Sequence, residues 1–465
     1  MTETQEMLLP SAAVTENFIS ADEIRARFSS AMSTMYRAEV PQYGVLLDLV
    51  AEINSAAQQR ATKESGEGGD GRLSVERHGA IRLGTARELH TIRRIFAVMA
   101  MAPVSYYDLS SAGVPVHSTA FRPVTKDALA ANPFRVFTSL LRLELIADAS
   151  LREEASELLR RRSIFTARAL ALTAQFEQDG GLSDRDANEF VQEVLETFRW
   201  HSAATVSRDV YERLRNAHRL IADVVCFKGP HINHLTPRTL DIDAAQREMP
   251  LRGIAAKAVI EGPPRREAPI LLRQTSFTAL EEPVIFVDES CAGAHTARFG
   301  EIEQRGVALT RKGRALYDRL LEKARNQADS GEASSDRNCF EEGFREFPDD
   351  YDTLRREGLA FFRYEICAEV TSDVEGLDLE QLVASGIVAA VPVIYEDFLP
   401  VSAAGIFQSN LGDHQAQAYE IGSSQALFER ALGANVMDEF ALYEAEQQAS
   451  LEQLAIQLKS AGRAR

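Results

Sequence analysis

Gly229-Pro230-His231-Ile232-Asn233-His234-Leu235-Thr236-Pro237-Arg238 sets two of the chain's nine histidines between turn-forming residues. Gly-Pro opens the run and Thr-Pro-Arg closes it, which places the histidines at the end of an extended segment. That segment reads from 221 to 237. A short helix over 241–248 follows. Strand-like runs come next, at 254–261, at 270–279 with 284–287, and at 297–310. Strand, helix, then strands is the order that decides the fold.

The same order stands earlier in the chain. Residues 73–83 read as extended and end at Gly84. Thr85 is an N-cap, with Glu88 three residues on completing a capping box. An amphipathic helix over 86–101 follows, with Leu89, Ile92, Ile95, Phe96 and Met99 on one face. Runs at 104–109, 115–123 and 134–145 are strand-like. The halves share pattern, not residues. A βαβββ unit used twice can close a curved sheet around a site that both units line. The fold class is therefore α+β. Its division reads as a helical lead-in over 1–72, a first module over 73–149, a helical insertion over 150–222, a second module over 223–310, and an α/β extension over 311–465. The insertion rests on three long helical patterns at 151–178, 183–198 and 205–221. The extension carries a helix at 310–327, helical residues at 340–356 broken by Pro348, strands at 361–370 and 387–395, and a terminal helix at 437–458.

Composition narrows the function. The 465 residues are 45% hydrophobic and 26% charged, the balance of a globular protein with a large core. The 51 basic and 69 acidic residues leave a net charge of −18, which argues against a nucleic-acid partner. The first residues lack the basic-then-apolar order of a secretion signal, and no apolar run approaches the ~20 residues that span a bilayer. Cys226, Cys291, Cys339 and Cys367 show no CxxC spacing and read as free thiols of a cytoplasmic protein. No Walker loop, GxSxG or HExxH is present, and the glycine-rich 66–71 follows no strand.

Three stretches remain that can carry chemistry: the histidine run, Glu76–Gly84, and Arg298–Gly306. His78 and Arg82 are four apart and share a face of an extended strand. His231 and His234 are three apart and do not, so only one of them can face a site on the sheet. Glu301 and Glu303 share a face, and spacing does not choose between them. Two histidines and one carboxylate with open positions are the ligand set of non-haem Fe(II) oxygenases. Against this stands the blander reading of each. A lone strand histidine is more often a hydrogen-bonded structural residue, and an acidic strand is more often a solvated edge. The apolar flanks Phe299 and Ile302 argue that this strand is covered on both faces, where a buried carboxylate needs a partner.

Together, Gly229–Arg238, His78-Gly79-Ala80-Ile81-Arg82 and Phe299-Gly300-Glu301-Ile302-Glu303-Gln304-Arg305 resemble the bacterial 2-oxoadipate dioxygenase/decarboxylase family, the D-2-hydroxyglutarate synthases of the vicinal oxygen chelate superfamily. The likeness spans roughly residues 20 to 460, and the last motif is also similar to the final iron-ligand strand of 4-hydroxyphenylpyruvate dioxygenases. It implies an Fe(II) site formed by His78, His234 and Glu301. It implies Arg82 and the pair Val401-Ser402 as contacts of the substrate, and O2 and 2-oxoadipate, a diacid of lysine breakdown, as reactants. The implied reaction is oxidative decarboxylation to D-2-hydroxyglutarate and CO2. Two other readings are a redox-silent isomerase or lyase of the same superfamily using Mn, Ni or Zn, and a metal-free binding protein in which these residues are structural.

Overall fold

A computed structural model describes residues 18–65, 71–288, 292–329, 342–368, 376–399 and 424–463. Two helices lead in, α1 (Ala21–Glu39) and α2 (Pro41–Ser65). Ser20 caps α1 by accepting the Glu23 amide, and Ile24, Phe28, Met32 and Tyr36 form its buried face. Arg25 on that face is also fully buried. It donates to the carbonyl oxygens of Met99, Ala128 and Asn132, which ties α1 to the first module.

The first module is complete. β1 (Arg77–Leu83) runs into α3 (Ala86–Val98) through the expected capping box, with Thr85 and Glu88 bonded reciprocally. β2 (Ala102–Asp108), β3 (Val116–Arg122), the short α4 (Lys126–Ala131) and β4 (Arg135–Leu141) follow. β4 returns parallel to β1, giving the order β2-β3-β4-β1. A helix must lie between parallel neighbours, and α3 supplies the crossover.

The insertion is helical but more broken than its periodicity predicts. α5 (Ala149–Arg161) and α6 (Ala167–Asp179) replace one long helix. The chain leaves helix at Arg162, whose guanidinium turns to Glu88, and restarts at the Thr166 cap. α7 (Asp184–Leu195) starts at Ser183 as expected. α8 (Arg208–Ala217) and α9 (Arg219–Val225) are separated by His218, whose Nδ1 accepts the Leu220 amide and caps α9.

The second module keeps the order of the first with shorter strands. β5 (Leu235–Pro237) pairs antiparallel with β1, α10 (Ile242–Glu248) follows, and β6 (Leu272–Ser276) comes next. A hairpin of β7 (Glu281–Ile285) and β8 (Ala292–Thr296) precedes β9 (Glu301–Arg305). β9 pairs with β6 and joins the end of β5 through the parallel bridge Arg238–Glu303. On its other side β6 is bridged to Glu261. The order 261, β6, β9, β5 thus mirrors β2-β3-β4-β1, and the modules meet where β1 lies against β5. Two expected strands differ. Residues 221–225 belong to α9, leaving 226–234 irregular, and 254–261 touches the sheet only by bridges at Ala256 and Glu261.

α11 (Arg311–Asp329) and α12 (Tyr351–Arg356) open the extension, where the expected break at Pro348 falls. β10 (Phe362–Ile366), α13 (Leu379–Ala384) and β11 (Val388–Pro392) follow, and β10 and β11 pair. Val307 bridges to Ile394 and Leu309 to Ala360, so this ribbon continues from the second module. α14 (Gln425–Leu432) and α15 (Glu439–Arg463) end the chain. Gln447 and Ser450 of α15 accept the Phe362 and Tyr364 amides and cover the edge of β10. No helix among the described residues is long and apolar enough to cross a membrane.

Candidate metal centre

The site lies where the two modules meet. β1 brings His78, the irregular chain just before β5 brings His234, and the first residue of β9 brings Glu301. One ligand atom from each lies within 4.8 Å of the other two, and all three residues are buried. Two local features bring these segments together. A Cβ on Gly79 would stand 2.5 Å from Ile232 Cδ1 and 3.1 Å from the His234 carbonyl oxygen, so only glycine lets β1 approach the histidine segment this closely. The Tyr36 hydroxyl, from α1, lies 3.0 Å from the carbonyl oxygen of Asn233 and 2.7 Å from that of Phe299, which ties the histidine segment to the start of β9.

His78 has a carboxylate close to each ring nitrogen, though its Nδ1 makes no hydrogen bond of good geometry among the described residues. Its Nε2 lies 3.1 Å from Glu301 Oε1 and its Nδ1 lies 2.8 Å from Glu303 Oε2. The two glutamates do share a face of β9, as spacing requires, and they meet the same imidazole from its two ends. Their other contacts separate them. Glu303 is gripped by Arg305, with Nε and Nη2 at 2.9 and 2.8 Å. Glu301 Oε1 accepts from Gln274 at 2.6 Å and from Thr236 at 3.3 Å, while Glu301 Oε2 has no hydrogen-bond partner among the described residues. His234 Nδ1 is likewise without one. A buried carboxylate oxygen and a buried ring nitrogen left this way cost stability unless something binds them. A divalent cation fits this donor set of two imidazoles and one carboxylate.

Electrostatics prepares the same donors. Burial pulls His234 down to about 4, with His78 and Arg82 adding to the effect against Glu301, so its ring is neutral near pH 7. Burial pushes Glu301 up, but His234 and His78 outweigh it and hold the carboxyl below its usual value. Glu303 is held lower still by Arg305 and His78 against its burial. Burial pulls His78 down, but Glu303 and Glu301 outweigh it and raise the imidazole above its usual value, so a bound cation would have to displace a proton there while His234 and Glu301 stand ready. Phe299 and Phe398 wall the centre, with ring centroids 4.7 Å from His234 and 5.0 Å from His78.

Arg82 leaves the same face of β1 as His78 and is 2% exposed. Its Nη1 lies 2.6 Å from Asp223 Oδ2, in α9. His231 points away from the triad, with its Nε2 3.3 Å from Asp223 Oδ1. Val401 and Ser402 lie outside the described residues. Sequence reasoning missed Gln274, Thr236, Arg305 and Asp223. Asp223 carried a signal, since a lone acid in the apolar run Leu220–Cys226 must find a partner when buried.

The model of the 2-oxoadipate dioxygenase/decarboxylase family matches residues 28–410. The chain belongs to that family. Relatives named 2-oxoadipate dioxygenase/decarboxylase from Escherichia coli and Pseudomonas putida are each 57% identical to it, over 93% and 94% of this chain and 98% and 97% of theirs. The crystal structure of the Pseudomonas putida hydroxyglutarate synthase in complex with 2-oxoadipate superposes with a TM-score of 0.85 and 56% identity, covering 95% of this chain and 99% of that one. The solved relative therefore shares the fold over 95% of this chain.

Proposed function

We propose that this protein is a non-haem iron 2-oxoadipate dioxygenase/decarboxylase. One 2-oxoadipate and one O2 are consumed, and one D-2-hydroxyglutarate and one CO2 are released. The observation that carries the reading is the division of labour on β9: Glu301 offers an unsatisfied oxygen beside His78 and His234, while Glu303 is committed to the far side of His78. Membership of the family supports the substrate.

His78, His234 and Glu301 are the proposed ligands of Fe(II), which when bound supplies chelation of the 2-oxo acid and activation of O2. The chain supplies the rest. Glu303, 2.8 Å from His78 Nδ1, places a negative charge behind the ring on the side away from the centre. Gln274 and Thr236 keep the Glu301 carboxylate turned inward. Phe299 and Phe398 exclude water. Arg82 is assigned to the distal carboxylate, a pairing that a planar guanidinium makes with two parallel hydrogen bonds. Val401 and Ser402 remain proposed substrate contacts.

The test is anaerobic reconstitution with Fe(II), then addition of O2 and 2-oxoadipate, with O2 uptake, CO2 release and chiral chromatography of the product. The expected result is equal consumption of O2 and release of CO2, with the D isomer formed. Turnover of the 2-oxo acid without O2 uptake would instead identify a redox-silent isomerase or lyase.

A further inference from the structure

Asp223 lies outside the proposed ligand set, yet it is among the most heavily engaged side chains in the protein. It sits in α9, 3% exposed. Oδ2 lies 2.6 Å from Arg82 Nη1. Oδ1 is hydrogen-bonded to His295 Nε2 at 3.0 Å, and His231 Nε2 packs beside it at 3.3 Å without hydrogen-bond geometry. The chain thus spends two of its buried histidines, one from the histidine run and one from β8, on a single carboxylate. Each is fixed in turn. His295 Nδ1 is 2.9 Å from the Tyr211 hydroxyl of α8, and the Trp200 ring lies against both imidazoles, parallel to His295 and edge-on to His231. Arg298 lies over the Trp200 ring, 5.0 Å from its centroid, and is itself paired with Glu39 and Glu282.

A buried Asp–Arg pair needs no such frame merely to be neutral. The frame does something else: it removes the freedom of Asp223 to rotate and hence that of the guanidinium it holds. Arg82 and His78 leave one face of β1, four residues apart, so the distance between the two side chains sets the length of any diacid that spans them. A guanidinium free to swing by an ångström would accept chains one methylene shorter or longer. We infer that Asp223, braced by His295 with His231 packed beside it, is a positioning residue that locks Arg82 and thereby sets the chain length of the accepted 2-oxo diacid. The inference rests on the assignment of Arg82 to the distal carboxylate.

The experiment compares kcat/KM for 2-oxoadipate, for 2-oxoglutarate (one methylene shorter) and for 2-oxohexanoate (equal length, one carboxylate) in the iron-loaded wild type and in Asp223→Asn, His295→Gln and Arg82→Ala. Iron content and Tm are recorded for each. For Asp223→Asn the preference for 2-oxoadipate over 2-oxoglutarate should fall at least tenfold, while iron content stays at wild-type level. His295→Gln disturbs one brace only. It should move the same ratio in the same direction by a smaller factor, and it carries the test if Asp223→Asn does not fold. A loss shared equally by all three substrates, or tighter handling of 2-oxoadipate from an uncaged Arg82, would overturn the inference. Arg82→Ala separates the two layers. If it keeps the preference for the diacid over 2-oxohexanoate, the assignment of Arg82 itself fails. If it loses that preference while Asp223→Asn and His295→Gln keep the length ratio, only the positioning role fails.

Discussion

His78 is contacted at both nitrogens by two carboxylates, and the consequences of losing either differ. Glu303→Gln leaves a neutral acceptor beside Nδ1, so the ring stays in place but becomes a poorer ligand. Metal affinity should fall about 10–100-fold. Glu301→Ala removes a donor and should abolish tight binding. Titration of the metal-free variants with Fe(II) under argon compares the two directly. Within the histidine pair, His234→Ala should lose metal and His231→Ala should keep it, and the reverse result would exchange their roles. Much of this was legible in the sequence. Period-2 spacing put Glu301 and Glu303 on one face, but its separation of His231 from His234 assumed an extended strand, and both histidines lie in irregular chain before β5. Spacing did not choose between the glutamates, because the choice depends on Arg305 gripping one of them, and Arg305 lies on the same strand at an equivalent position. Nor did it show that Arg82 faces Asp223, whose helix lies 141 residues further along the chain.

Elements with strong local signals formed as read. The capping box of α3, the serine cap of α7 and the strand β1 are set by neighbours in sequence. The second module was harder. The run Leu220–Cys226 is apolar and rich in β-branched residues, which suits a strand or a buried helix equally, and the His218 cap made it a helix. Residues 254–261 lost strand pairing to the shorter contacts at Ala256 and Glu261. The close approach of β1 to the histidine segment gives a test at this scale. Gly79→Ala places a methyl 2.5 Å from Ile232 Cδ1 and 3.1 Å from a backbone oxygen that cannot move aside freely. The cost should be about 1–3 kcal/mol, with weakened metal binding because His234 is displaced. Ile232→Val in the same chain should recover part of the lost Tm, and no recovery would place the strain in the backbone contact alone.

Across the whole molecule, buried titratable groups pull stability in opposite directions with pH. Burial pulls His117 and His234 down to about 4 against an ordinary 6.5. The unfolded chain therefore binds more protons between those values, and the metal-free protein should lose stability as pH falls from about 6.5 to 4. Glu439 is raised to about 7 by burial and by Asp397. Here the folded state holds the proton, so its contribution is intact below about 4.5 and is lost as pH rises through 7. Glu439→Gln should match the wild type at pH 4.5 and exceed it in Tm at pH 8. Thermal scans of both proteins from pH 4 to 8 measure the two limbs. A variant that gains nothing at pH 8 would show that Glu439 is ionised without penalty.

The meeting of β1 with the second module also has a consequence in time. The proposed ligands are separated by roughly 220 residues of chain, and a ribosome adding ~5–20 residues per second makes His78 on the order of tens of seconds before Glu301 exists. The first module can fold in that interval, but no complete cage for a cation is present until the second has docked against it. Iron is therefore expected as a late arrival, captured by a finished protein and not a template for it. Once captured, it would act as a rivet across the seam. Chelation should then open amide exchange first in β1, β5 and β9, while the helices α3 and α7 stay protected.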